Sequence, residues 1–304
     1  MALLDPLALA RLQNLEVRAR TVVEGALAGL HRSPHHGASV EFAEHKEYTA
    51  GDEIKHIDWK AYGKFDKYYV KRFEEETELR AYLLVDTSAS MAYRGAGVSK
   101  LDYARVLAAS LAYLLLRQQD QVGMIAFGER LRGYLPPRAR GGHLADLLQA
   151  LDGLDAQGRT DLARGLQYVS EVAQRRALVV VFSDLLDAAA TEASGARNEV
   201  RHILRGLRAR KHDVVVFHLL DRDELTLPFE GTTQFESMED ARRLLAEPAD
   251  VRHAYLAELE AFIDGYRRGL AEGDVEYHLV DTARAPSEVL LEFLNGAYRN
   301  KGRR

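Results

Sequence analysis

Beyond residue 79 the sequence alternates short β-rich apolar runs with helical stretches, and this alternation constrains the fold more than any other feature. Apolar runs at 79–85, 121–127, 177–182, 213–220 and 275–281 are separated by segments with helical spacing at 100–118, 142–151, 161–174, 197–210 and 250–271, with a last helix at 286–298. A further helical segment is predicted at 238–247. The run at 177–182 is unbroken, the pattern of a strand covered on both faces. A short run at 131–135 reads as an edge strand that Pro136-Pro137 stops, because proline lacks the donor a ladder needs. Ser99 with Asp102 three positions on predicts a capped helix start. Strands and helices of these lengths indicate βαβ units and an α/β, doubly wound, mostly parallel sheet. Such sheets take ligands beyond the carboxyl ends of their strands, where strand order reverses.

The first 78 residues follow a different pattern. Asp5-Pro6 opens a helix over 5–30, with Leu9, Leu12, Leu15, Val22, Val23, Leu27 and Leu30 at helical spacing. Ser33-Pro34-His35-His36-Gly37 breaks it. The stretch 38–79 is dense in charge and aromatics, including Tyr48, Trp59, Tyr62 and Phe73, and reads as extended pieces and turns packed against the sheet. The expected division is therefore 1–78, an appended helix and aromatic segment, and 79–304, one α/β domain.

At 304 residues the chain is long enough to bury a core without staples. It contains no cysteine, which excludes disulfides, thiolate metal sites and cysteine nucleophiles. Forty-one Lys and Arg against 46 Asp and Glu give a net charge of −5, so there is no global basic field for nucleic acid. The most apolar stretch, 106–116, is far shorter than the roughly 20 residues needed to span a bilayer. These features lead us to expect a cytoplasmic protein without a membrane span.

Three strand ends carry oxygen donors. Asp86-Thr87-Ser88-Ala89-Ser90 follows the first run, Thr160 precedes the helix at 161, and Ser183-Asp184 follows the buried run. In a turning loop, residues 86, 88 and 90 can face one side. Carboxylates with hydroxyls are hard donors suited to Mg²⁺ or Mn²⁺. The same residues also serve as turn formers and helix caps, Thr160 included. There is no phosphate loop, no metalloprotease helix and no nucleophile elbow. The histidines of the first quarter, from His31 to His56, lack the spacing of a zinc site.

Asp86, Ser88, Ser90, Thr160 and Asp184 together resemble the metal-ion-dependent adhesion site of von Willebrand factor type A domains. The strand–helix order from 79 resembles that fold as well, including one short antiparallel edge strand. The segment 41–59, with its ending Gly51-Asp52-Glu53-Ile54-Lys55-His56-Ile57-Asp58-Trp59, resembles the hallmark of a bacterial family, domain of unknown function fifty-eight, as does Gly29-Leu30-His31-Arg32-Ser33-Pro34 upstream. Lys46, Lys55 and Tyr62-Gly63-Lys64 depart from its pattern, which weakens any bidentate ion pair there.

The resemblance implies a von Willebrand factor A-like, Rossmann-like sheet with an N-terminal appendage. It also implies a non-enzymatic, divalent-metal-dependent protein-interaction module. The implied partners are a MoxR-type AAA+ ATPase and a client protein, one of them donating an Asp or Glu to a metal held by the five residues named. Two alternatives stay open: a metal-dependent phosphohydrolase using Asp86, and a scaffold whose Asp-Ser loop only caps a helix.

Overall fold

A computed structural model describes residues 6–10, 14–32, 45–47, 69–71, 79–173, 175–186, 194–240 and 242–301. The expected turn at 33–37 and most of the aromatic stretch at 38–78 lie outside the described residues. The chain divides into two compact units, residues 1–30 with 79–304, and residues 31–78. In the smaller unit β1 (His45–Glu47) and β2 (Tyr69–Lys71) pair antiparallel, with Lys46 opposite Val70.

In the larger unit the alternation produces a six-stranded sheet. β3 (Arg80–Asp86), β4 (Gln121–Phe127), β6 (Ala177–Ser183), β7 (Asp213–Leu220) and β10 (Glu276–Asp281) run parallel, and β5 (Leu131–Arg138) is the antiparallel edge. From that edge the order is β5-β4-β3-β6-β7-β10. Numbered within the sheet this is 3-2-1-4-5-6, the doubly wound order whose switch point lies between its first and fourth strands, here β3 and β6.

Strand alternation sorts the core into two layers. Ala81, Leu83 and Val85 of β3 join Val180, Phe182, Val215 and Phe217 on one face. Tyr82 and Leu84 join Val179, Val181, Val214 and Val216 on the other. Leu83, Leu84 and Val180 have no exposed surface, and burial of each such side chain contributes about 1.5–3 kcal/mol. On the first face lie α3 (Lys100–Arg117), α4 (His143–Asp152) and α9 (Pro286–Lys301); on the second lie α5 (Leu162–Val172), α6 (Ser194–Ala209) and α8 (Pro248–Ala271). Ser99 caps α3, its Oγ accepting from the Asp102 amide at 3.0 Å. Among the described residues no helix is long and apolar enough to cross a membrane.

The N-terminal helices α1 (Pro6–Ala10) and α2 (Leu15–Arg32) contribute to the first layer of this unit. Leu9, Ala19, Val22, Val23 and Ala26 are buried in the cluster that holds Leu107 and Leu111 of α3.

Two local expectations are corrected. The edge strand does not stop at Pro136-Pro137; β5 runs through both to Arg138. Both prolines fall in an irregularity of the ladder, where the register shifts between Val122 and Met124, so neither has to supply a regular ladder donor. Gly123 lies there because a Cβ would come within 2.7 Å of the Leu135 carbonyl oxygen.

The helix expected at 238–247 is instead a hairpin of β8 (Thr233–Glu236) and β9 (Arg243–Ala246). Its turn is built from local side-chain bonds: the Asp240 amide donates to Ser237 Oγ at 3.3 Å and the Arg242 amide to Asp240 Oδ1 at 3.0 Å. Leu244 and Leu245 remain 61% and 67% exposed, so no core rewards a helix at this place.

Candidate metal centre

β3 and β6 end side by side at the switch point, with α3 leaving toward one face and α6 toward the other. The ends are Asp86 and Ser183, followed by Asp184, all three without exposed surface. Burial of three polar residues in one place requires partners for each.

Asp86 has a full set. Its Oδ1 accepts from the Ser88 amide at 2.9 Å, and its Oδ2 from Thr160 Oγ1 at 3.0 Å and Ser183 Oγ at 2.6 Å. The loop that brings Thr160 is tied to the β3 end by the Ala89 amide on the Gly158 carbonyl at 2.8 Å and the Gln157 amide on the Thr87 carbonyl at 3.0 Å. Gly158 sits at φ +67°, a backbone that other residues resist. Arg132 adds bonds to the Asp155 and Gln157 carbonyls. Burial, and then the nearby Asp184 charge, push the Asp86 carboxyl up to about 6 against the hydrogen bonds that favour its ion.

Asp184 is satisfied differently. Its Oδ2 accepts from Lys100 Nζ at 2.8 Å and its Oδ1 from the Leu186 amide at 3.1 Å. Lys100 comes from the first turn of α3, is fully buried, and also donates to Glu224 Oε1 at 2.7 Å. Burial alone would raise the Asp184 carboxyl, but the Lys100 ammonium holds it below the ordinary carboxylate range. Glu224 lies in α7 (Arg222–Thr226) after β7; burial raises its carboxyl despite Lys100. His218, whose backbone pairs with Ser183, is pushed down to about 4 by burial and stays neutral.

The five residues singled out by sequence form one connected set. Ser88 Oγ lies 3.1 Å from Ser90 Oγ, and the Ser90 hydroxyl in turn faces Asp184. The structure adds Ser183, Lys100 and Glu224, and one group from farther along the chain, Glu239, in the β8–β9 turn. Its carboxylate lies beside the Ser90 hydroxyl and the Thr160 amide, and burial followed by the Asp184 and Asp86 charges pushes it up to about 7. Its Oε1 is buried with no donor. Ser90, Tyr93, Leu186, Glu224, Ser237, Met238, Glu239 and Arg242 line the adjoining cleft. Lys100 and Glu239 escaped sequence reasoning because each meets its partners across tens of residues of chain, 84 of them between Lys100 and Asp184.

The donor set fits a hard divalent cation. It offers carboxylate and hydroxyl oxygens, the donors such an ion prefers, while among the described residues no group of three or more His, Asp or Glu is placed to hold a metal ion. Four carboxylates (Asp86, Asp184, Glu224 and Glu239) face one ammonium, Lys100, an excess of three negative charges when all are ionised. The donorless Oε1 of Glu239 and the raised Asp86 carboxyl both mark a site short of positive charge. Both Asp86 oxygens are engaged, which suits an anchor better than a nucleophile.

The family described as "Protein of unknown function DUF58" matches residues 44–261. An uncharacterized protein of Mycobacterium tuberculosis is 27% identical over 250 residues, covering 81% of this chain and 76% of its own. Among solved structures, the conserved hypothetical protein BatB from Bacteroides thetaiotaomicron aligns with TM-score 0.47 and 15% identity, over 73% of this chain and 99% of its own. The VWA domain of SpRpn10 aligns with TM-score 0.40 and 10% identity, over 70% and 94%.

Proposed function

The chain belongs to the DUF58 family, with a von Willebrand factor A-like sheet, and from that premise we propose that it is a non-enzymatic, divalent-cation-dependent protein-interaction module. Asp86, Ser88, Ser90, Thr160 and Asp184 would hold Mg²⁺ or Mn²⁺. The observation that carries this reading is the convergence of these oxygens at the sheet's switch point. A bound cation supplies a positive centre to which an acidic side chain of a partner can attach.

The protein's own residues prepare that attachment. Thr160 and Ser183 hold Asp86 in one orientation, so little order must be gained on binding. Lys100 keeps Asp184 ionised and turned toward α3. Ser88 and Ser90 add neutral oxygens, which leave charge on a cation for an acid from outside. The partner in this reading is a MoxR-type AAA+ ATPase acting on a client protein in the cytoplasm, which rests on the family resemblance alone.

Calorimetry with Mg²⁺ and Mn²⁺ tests the cation: we expect binding to the wild type that Asp86→Ala abolishes, and no binding to the folded wild type overturns the reading. A pull-down with and without chelator tests the partner, with an AAA+ ATPase expected only when the cation is present.

A further inference from the structure

The β8–β9 turn brings a carboxylate to a site that, on the reading above, is built to accept one. We propose that this turn is an intramolecular ligand: Glu239 occupies the place of a partner's acid, and a partner gains the site only by displacing the turn. The inference rests on the cation reading and adds the competition between an internal and an external acid.

Three observations support it. The Glu239 carboxylate lies beside Ser90 and the Thr160 amide, two of the positions that would hold the cation, and near Asp86 and Asp184. Its Oε1 is buried and has no donor, so in the cation-free protein this oxygen loses water without compensation. A cation held at the site would supply this oxygen with a partner.

The element that carries Glu239 is also weakly held. Met238, Leu244 and Leu245 are 44%, 61% and 67% exposed, so the hairpin buries few of its apolar side chains. Its described side-chain ties outside itself are few: Phe235 against Phe229 at 5.7 Å between ring centres, and the Glu247–Thr232 bond at its base. Segments with few buried apolar contacts open at low free energy. Lifting this hairpin would leave both layers of the sheet's core intact, because none of its residues belongs to them.

The test uses Mn²⁺ and acetate, a bare carboxylate, as probes of the full chain. Mn²⁺ affinity is measured for wild type and Glu239→Gln by electron paramagnetic resonance. Acetate binding to the Mn²⁺-loaded proteins is then followed by water-proton relaxation. An unchanged melting temperature in the cation-free state shows that the variant folds. We expect Glu239→Gln to bind Mn²⁺ about tenfold more weakly, the scale of losing one supporting group at a metal. We also expect it to bind acetate at concentrations where the wild type does not. Since the chain has no cysteine, Leu245→Cys carries a single spin label, and its mobility should rise when acetate saturates the loaded protein. Equal Mn²⁺ and acetate binding by both proteins overturns the internal ligand alone. No Mn²⁺ uptake by either overturns it together with the cation reading.

Discussion

The two aspartates of the site differ in what neutralises them. Asp86 is surrounded by hydroxyls and an amide, dipoles that orient it without cancelling its charge, and its carboxyl is pushed up. Asp184, equally buried, has a lysine, and its carboxyl is held down. A buried carboxylate tolerates desolvation only with a counter-charge or several donors. Half of this site therefore carries its own cation, and on the proposed reading the other half would receive one.

The largest test of that contrast is Lys100→Met. It leaves Asp184 and Glu224 buried without their ammonium, and we expect a loss of about 3–5 kcal/mol in urea denaturation. Adding Asp184→Asn should recover part of it. A nearly neutral Lys100→Met would mean the halves do not differ as argued. On the Asp86 side, Ser183→Ala removes a 2.6 Å bond to a charged oxygen and should cost about 2 kcal/mol.

Acid should separate the halves by sign. Asp86, raised to about 6, contributes stability that is complete below its unfolded value of 3.8 and lost as pH rises through 6. His218, lowered to about 4 beside Asp184, contributes stability present above 6.5 and lost as pH falls toward 4. On moving from pH 7 to 5, Asp86→Ala should lose more stability than wild type and His218→Gln less, by about 1 kcal/mol each; one pH unit of a fully shifted group is worth about 1.4. Denaturation curves at the two pH values check this. The smallest effect belongs to the hairpin: Leu245→Ser, at a side chain 67% exposed, should change stability by less than about 0.5 kcal/mol.

Much of the fold was legible because its signals are local. A run such as 177–182 is a strand by composition alone, and Ser99 announces its helix within three residues. The aspartates and hydroxyls were legible because they sit within a few residues of strand ends, and a parallel sheet brings such ends together. The hairpin at 233–246 was misread because Met238, Glu239, Leu244 and Leu245 favour helix while the turn bonds of Ser237 and Asp240 compete against it. The prolines of β5 were read as a stop, since only the pairing with β4 reveals the register shift that accommodates them.

Periodicity and strand-end chemistry thus determined the doubly wound sheet and the oxygen donors at its switch point, because both are written in residues close along the chain. Only the tertiary structure decided that Lys100 serves Asp184, that Glu239 reaches Ser90, and that α2 joins the sheet's core. Each depends on a contact across tens of residues, where burial and charge select among partners that local sequence cannot rank.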